Sequence, residues 1–180
     1  GIRPNPYYVW LSEIMLQQTT VPAVIPYFLK FIGLWPDIHA LAEAKQDDIM
    51  REWAGLGYYS RARNLHKCAN VIVNEYDSQF PKDQAQLKKL PGIGDYTAAA
   101  IASIAYDEPA VVIDGNVDRI MARVFAIKTP FPEGKKVVRE YASQLSENCD
   151  DRPGDYAQGL MDLGSMICTP KKPLCGQCPI

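Results

Sequence analysis

From Asp95 onward the chain runs to Tyr106 without another charge, through Tyr96, Thr97, three consecutive alanines, Ile101, Ala102, Ser103, Ile104 and Ala105. A helix with small or branched residues on every side has no solvent face, so other elements must pack around it. It is entered through Leu90-Pro91-Gly92-Ile93-Gly94. A tight turn between two helical segments gathers backbone N–H groups at the start of the second helix. Unpaired donors and the positive end of the helix dipole attract a phosphate there. Further on, the apolar run Val111-Val112-Ile113 delivers one carboxylate, Asp114, to Gly115 and the mouth of another helix. A phosphate grip and an isolated acid predict chemistry on a nucleic acid.

The rest of the chain reads as helices around that core. Apolar periodicity predicts them over 7–18, 21–34, 37–44, 46–54, 60–76, 84–90, 116–126, 134–149 and 153–167. Pro6 opens the first, and Pro26 is expected to bend the second or shift its start. Gly55-Leu56-Gly57 breaks the pattern before the segment at 60–76. Residues 110–113 are β-branched and extended with no strand to pair with, so they read as a crossing between two helical halves. The expected fold is all-α and two-lobed, with one helical domain over 6–113, a second over 114–180, and a site in the cleft between them.

At 180 residues the chain can bury a core, and its apolar runs are too short to span a bilayer. With no secretory signal, an intracellular setting without a membrane partner is expected. The first residue is Gly1 rather than Met, which suggests a fragment. A net charge of −2 gives no general attraction to a polyanion. A local basic face still acts within a Debye length of about 8 Å.

Five cysteines are present, and Cys168, Cys175 and Cys178 crowd the end among Pro170, Pro173 and Pro179. Prolines at that density favour a looped ligand cage. Without an export signal, thiols so close suit zinc or an iron–sulfur cluster better than disulfides. Such sites normally take four ligands. Cys68 lies in one helical pattern and Cys149 at the end of another, so the site is expected to be cut off.

Two carboxylates stand out. Glu13 is the one charged residue in a helix of Tyr, Val, Trp, Leu, Ile and Met. Desolvation would keep it protonated towards neutrality and make it a proton donor, whereas a narrow solvent stripe with Ser12 and Gln17 would make it an ordinary surface acid. Asp114 can cap the helix that follows and remain charged. A neutral acid paired with a charged one is the arrangement that cleaves glycosidic bonds through oxocarbenium-like transition states. Tyr96 follows the glycine turn where a lysine would supply an amine nucleophile, and no Lys or Arg lies between Lys89 and Arg119.

Residues 90–98 resemble a helix-hairpin-helix, and Val112-Ile113-Asp114-Gly115-Asn116-Val117 resembles the aspartate-bearing segment of the helix-hairpin-helix DNA glycosylase superfamily. Residues 12–19 and 55–61, with Met161-Asp162-Leu163-Gly164-Ser165-Met166-Ile167-Cys168 and the cysteines after it, resemble the adenine (MutY) branch. The resemblance implies that Glu13 protonates adenine and later assists water, and that Asp114 stabilises the sugar cation or a covalent intermediate, with Tyr96 and Asn116 beside them. It implies that Gln18 and Tyr58 enter the DNA stack, with Leu16 and Gln17 in the same strip, and that Gln158 lies near the adenine pocket. It further implies that Gly92 and Gly94 hold backbone phosphate, often with a monovalent cation. Cys168, Cys175 and Cys178 match three of the four ligands of a 4Fe–4S cluster, the fourth following beyond Ile180.

The implied protein is a monomeric, monofunctional glycosylase acting on double-stranded DNA that carries an adenine opposite 8-oxoguanine or guanine. Arg61, Arg63, Lys67, Lys88 and Lys89 are candidates for phosphate contacts, while Asp118 works against them. Two alternatives share these features: a thymine or uracil mismatch glycosylase of the same fold, and a non-catalytic DNA-binding iron–sulfur protein. The latter would not need Glu13 and Asp114 together.

Overall fold

A computed structural model describes residues 3–146, 149 and 151–180, and among them every regular element is a helix, with no strand. The expected all-α class is therefore met. The contacts divide the chain into two compact units, with the division between Ile101 and Ala102.

The first unit begins with α1 (Pro6–Leu16), where Asn5 Oδ1 accepts a bond from the Tyr7 N–H at 2.9 Å and Pro6 occupies the first turn. Next comes α2 (Val21–Leu34), which continues through Pro26. Its start at Val21 is not shifted by that proline. α3 (Ile38–Glu43) is capped by Asp37, and α4 (Gln46–Glu52) carries Asp47 and Asp48 in its first turn. The amphipathic α5 (Ser60–Glu75) lies against α1, α3 and α4. α6 (Gln84–Leu87), capped by Asp83, is shorter than the segment expected over 84–90. Its continuation tightens into bonds from Lys89 to Gln86 and from Leu90 to Leu87, which lead into the glycine turn. Trp10, Phe31, Trp53, Leu65, Ile72 and Leu87 fill the core.

α7 (Asp95–Tyr106) spans the division between the units, and Ala98 to Ala102 are buried along it, as its lack of charge requires. The second unit continues with α8 (Gly115–Val124), α9 (Gly134–Ser146) and α10 (Pro153–Met166), followed by a single 3-10 turn at Cys175–Gln177. Residues 147 and 148 of the helix expected over 134–149 lie outside the described residues, and Cys149 is not helical. α8 packs on α9 and α10 around Val117, Ile120, Met121, Val138 and Ala142, with Phe125 and Tyr141 stacked at 4.0 Å. Residues 110–113 form no strand.

Candidate active site

In the first unit the candidate residues gather at the end of α1. Glu13 is 7% exposed, between Leu11 and the buried pair Ile14 and Met15. The solvent-stripe alternative is thereby removed. α1 stops at Leu16, and Gln17 turns the chain so that its Nε2 donates to Thr97 Oγ1 at 3.2 Å, next to Tyr96 on α7. Gln18 follows at φ +56°, left-handed and exposed. Tyr58 also sits left-handed, at φ +50°, with 58% of its surface exposed. Neither residue type adopts that conformation without cost, so surrounding bonds must hold it.

Those bonds come from Arg61. Its Nη1 donates to the carbonyls of Ile14 at 3.2 Å, Met15 at 2.6 Å and Gln17 at 2.6 Å; its Nη2 donates to Leu56 at 3.2 Å and Gly57 at 3.1 Å. Its guanidinium lies 5.3 Å from the Trp53 ring and 5.5 Å from the Tyr58 ring. Trp53 Nε1 adds a bond to the Gly57 carbonyl at 3.0 Å. Burial pulls the Arg61 guanidinium below its ordinary value, although the facing Tyr58 works the other way. The expectation that Arg61 contacts phosphate is corrected. It is 7% exposed, and its Nη1 and Nη2 donors are spent on protein carbonyls, while its Nε is buried without a partner.

The hairpin turn rests on α5. Gly92 has φ +78°, and a Cβ there would come within 2.8 Å of Asn64 Cβ, so only glycine fits. Gly94 is exposed with open space around its Cα, which leaves its backbone approachable. Lys88 pairs with Asp95 and is partly neutralised there, while Arg63, Lys67 and Lys89 remain exposed.

In the second unit the candidates are joined by a different set of bonds. Asp114 caps α8: its Oδ1 accepts from the Asn116 and Val117 N–H groups, both at 2.8 Å, and its Oδ2 accepts from Asn116 Nδ2 at 2.8 Å. Asn116 Oδ1 accepts from Arg119 Nη2 at 2.8 Å. Arg119 reaches on to the carbonyls of Gly164 and Cys168, both at 2.6 Å. A Cβ at Gly164 would collide with the Asn116 side chain, so α10 can approach α8 this closely only with glycine there. Gln158 lies outside this network, its Nε2 returning to the Gly154 carbonyl within α10 at 3.1 Å. Asp118 faces Lys135 at 3.5 Å, which offsets part of its charge.

The three cysteines of the loop line one cavity of about 190 Å³ with Ile120, Leu163 and Ile167. Arg123 reaches over it, donating to the carbonyls of Thr169 at 2.9 Å and Pro170 at 3.1 Å and lying 3.3 Å from Cys168 Sγ. Among the described residues, no set of three or more His, Cys, Asp or Glu side chains converges on one ion. A cluster presents several irons to thiols spaced around it, and a soft all-sulfur donor set suits it. The loop thus fits an iron–sulfur cluster through Cys168, Cys175 and Cys178.

Comparison with known proteins agrees with this geometry. A family model described as HhH-GPD superfamily base excision DNA repair protein matches residues 11–147. The chain belongs to that superfamily. A second model, the iron–sulfur binding domain of endonuclease III, matches residues 168–180, so the loop is an iron–sulfur binding motif. The chain is 46% identical to the adenine DNA glycosylase of Buchnera aphidicola (Schizaphis graminum), over 97% of this chain and 50% of that protein. It is 44% identical to the human adenine DNA glycosylase, over 97% of this chain and 32% of that protein. It therefore spans between a third and a half of those relatives. Among solved structures, a thermostable thymine-DNA glycosylase matches at TM-score 0.82 and 28% identity, over 97% of this chain and 81% of that one. A trapped endonuclease III–DNA covalent intermediate matches at 0.78 and 22%, over 99% and 82%, and shows the shared fold.

Two arginines carry roles that differ from what the sequence alone indicates. Arg119 lies three positions after Asn116 on the same helix face, so its spacing could have revealed it. Arg61 reads in sequence as a phosphate contact, because its partners at the end of α1 lie 44 to 47 residues away.

Proposed function

We propose that the chain is the catalytic part of a base-excision-repair DNA glycosylase that removes adenine mispaired with 8-oxoguanine or guanine. The observation that carries this reading is the buried carboxyl of Glu13, in a chain 44% identical to the human adenine DNA glycosylase. The lower identity to the thymine-DNA glycosylase structure, 28%, favours adenine over thymine.

In this reading, adenine leaves the duplex before its glycosidic bond is reached, and Leu16, Gln17, Gln18 and Tyr58 replace the lost stacking. Glu13 gives its proton to the departing base as the bond between sugar and adenine breaks, and the bonding pair leaves with the base. Asp114 stabilises the cation that develops on the sugar, held in place by its three N–H donors. Water then adds to the sugar carbon and gives a proton back to the Glu13 carboxylate. Tyr96 and Asn116 orient the two acids, and Gln158 lines the adenine pocket. Gly92 and Gly94 bind backbone phosphate with a monovalent cation. Cys168, Cys175 and Cys178 hold a 4Fe–4S cluster, which when bound supplies iron–thiolate cross-links that order the loop. The protein works as a monomer on double-stranded DNA inside the cell; among the described residues no helix is long and apolar enough to cross a membrane.

The test is base release, read as alkali-dependent strand cleavage, on duplexes with adenine opposite 8-oxoguanine, adenine opposite guanine, and thymine opposite guanine. Release from the two adenine duplexes, lost in Glu13→Gln, is the expected result. Release of thymine alone would move the protein to the mismatch branch. Tight binding to all three without release would make it a DNA-binding iron–sulfur protein.

A further inference from the structure

Arg61 sits where the two elements assigned to the DNA stack meet. Gln18 and Tyr58 are both left-handed, at φ +56° and +50°. The carbonyls immediately before them, Gln17 O and Gly57 O, accept from the same guanidinium at 2.6 Å and 3.1 Å. Three further carbonyls fix that guanidinium to the end of α1 and to the turn before α5. Trp53 and Tyr58 flank it. A cation at the end of α1 also suits the negative pole of that helix, where the last carbonyls have no intrahelical partner.

We propose that Arg61 is a positioning residue that locks the Gln18 turn and the Tyr58 turn at one separation, so that both enter the DNA stack together. The planar fork is what makes this possible. Five donors in fixed directions can serve two backbone segments at once, whereas a lysine ammonium offers three donors from a single point. Arg61 is shielded from DNA by the protein it binds, so it acts through Gln18 and Tyr58 and touches neither base nor sugar. The proposal rests on the glycosylase reading given above.

The test uses Arg61→Lys in the full protein, with far-UV circular dichroism and thermal unfolding to show that it folds. The duplexes carry 2-aminopurine beside the target adenine, whose fluorescence rises when the stack is opened. Binding within about threefold of the unsubstituted protein, loss of most of the fluorescence rise, and single-turnover base release slower by about 10²-fold are expected, since small misplacements cost that much. With Arg61 retained, Tyr58→Ala and Gln18→Ala should each lose part of the rise. In the Arg61→Lys background those same changes should add little. A full rise and normal release in Arg61→Lys would overturn the proposal, as would independent, additive effects of Tyr58→Ala and Gln18→Ala in both backgrounds. Should Arg61→Lys fail to fold, methylguanidinium added to Arg61→Ala takes its place: rescued fluorescence supports the proposal, and its absence in a folded variant overturns it. Failure of the glycosylase reading looks different, because the unsubstituted protein itself would then release no base.

Discussion

The end of α1 and the start of α8 solve the same problem with opposite charges. At α8 an anion, Asp114, satisfies the orphan N–H groups of a helix N-terminus from within three residues. At α1 a cation, Arg61, satisfies the orphan carbonyls of a helix C-terminus from 44 to 46 residues further along the chain. Each charge matches the helix pole it meets. The local cap holds a carboxylate that is proposed to act on the sugar, so its precision comes from chain geometry alone. The distant cap holds two turns proposed to act on the stack, and its precision depends on tertiary packing. Local anchoring suits a group that must stay fixed; long-range anchoring suits two segments that must move into DNA as one.

This contrast is broken most severely by Asp114→Asn. Asparagine caps a helix about as well as aspartate but cannot accept the bond from Asn116 Nδ2, so thermal stability should fall by about 1–2 kcal/mol. Base release should nonetheless fall by about 10³-fold or more, with DNA binding retained. Near-normal cleavage would show that Asp114 is only a cap. Glu13→Gln should remove release as completely, measured in single turnover, and leave unfolding nearly unchanged, since the amide keeps the size and the neutral polarity of the protonated carboxyl.

A smaller effect is expected from Arg119→Ala, which withdraws the bonds to Asn116, Gly164 and Cys168. Leaving those acceptors unmet should cost about 1–3 kcal/mol in a urea titration and slow base release by roughly 10-fold, through the lost support of Asn116 beside Asp114. Unchanged release would confine Arg119 to folding. In the hairpin, Gly92→Ala should destabilise by about 1–3 kcal/mol, through left-handed strain and the clash with Asn64. Gly94→Ala should leave stability nearly unchanged and weaken DNA binding, by setting a methyl group where a phosphate would approach. Equal loss of stability in both would contradict the open space at Gly94.

The smallest effect separates the thiols of the two units. Burial pushes the Cys68 thiol from its ordinary 9.0 up to about 12. The folded state thus holds the proton more tightly than the unfolded chain. Its contribution is complete below pH 9 and declines as the pH rises towards 12, where unfolding releases the thiolate. Stability measured across that interval should fall less steeply in Cys68→Ala than in the unsubstituted protein, by up to about 1.4 kcal/mol per pH unit. Cys175 is exposed and should react with iodoacetamide at pH 8 in cluster-free protein, while Cys68 should not. Labelling of Cys68 at that pH would mean that the first unit opens.

Much of this molecule is set by contacts along the chain. The charge-free stretch after Asp95 demanded a buried helix, Pro6 and Asn5 opened α1, and Asp114 before Gly115 and Asn116 specified its own cap. The cysteine spacing with its prolines specified a metal-binding loop. Bonds that close within a few residues follow from residue type and spacing, so they are legible in sequence. Tertiary structure alone decided that Glu13 is buried and that α6 ends at Leu87. It also turned Arg61 from a candidate phosphate contact into a bridge between two turns. Those outcomes depend on which carbonyls, rings and side chains are brought together from distant parts of the chain, and no local pattern encodes that proximity.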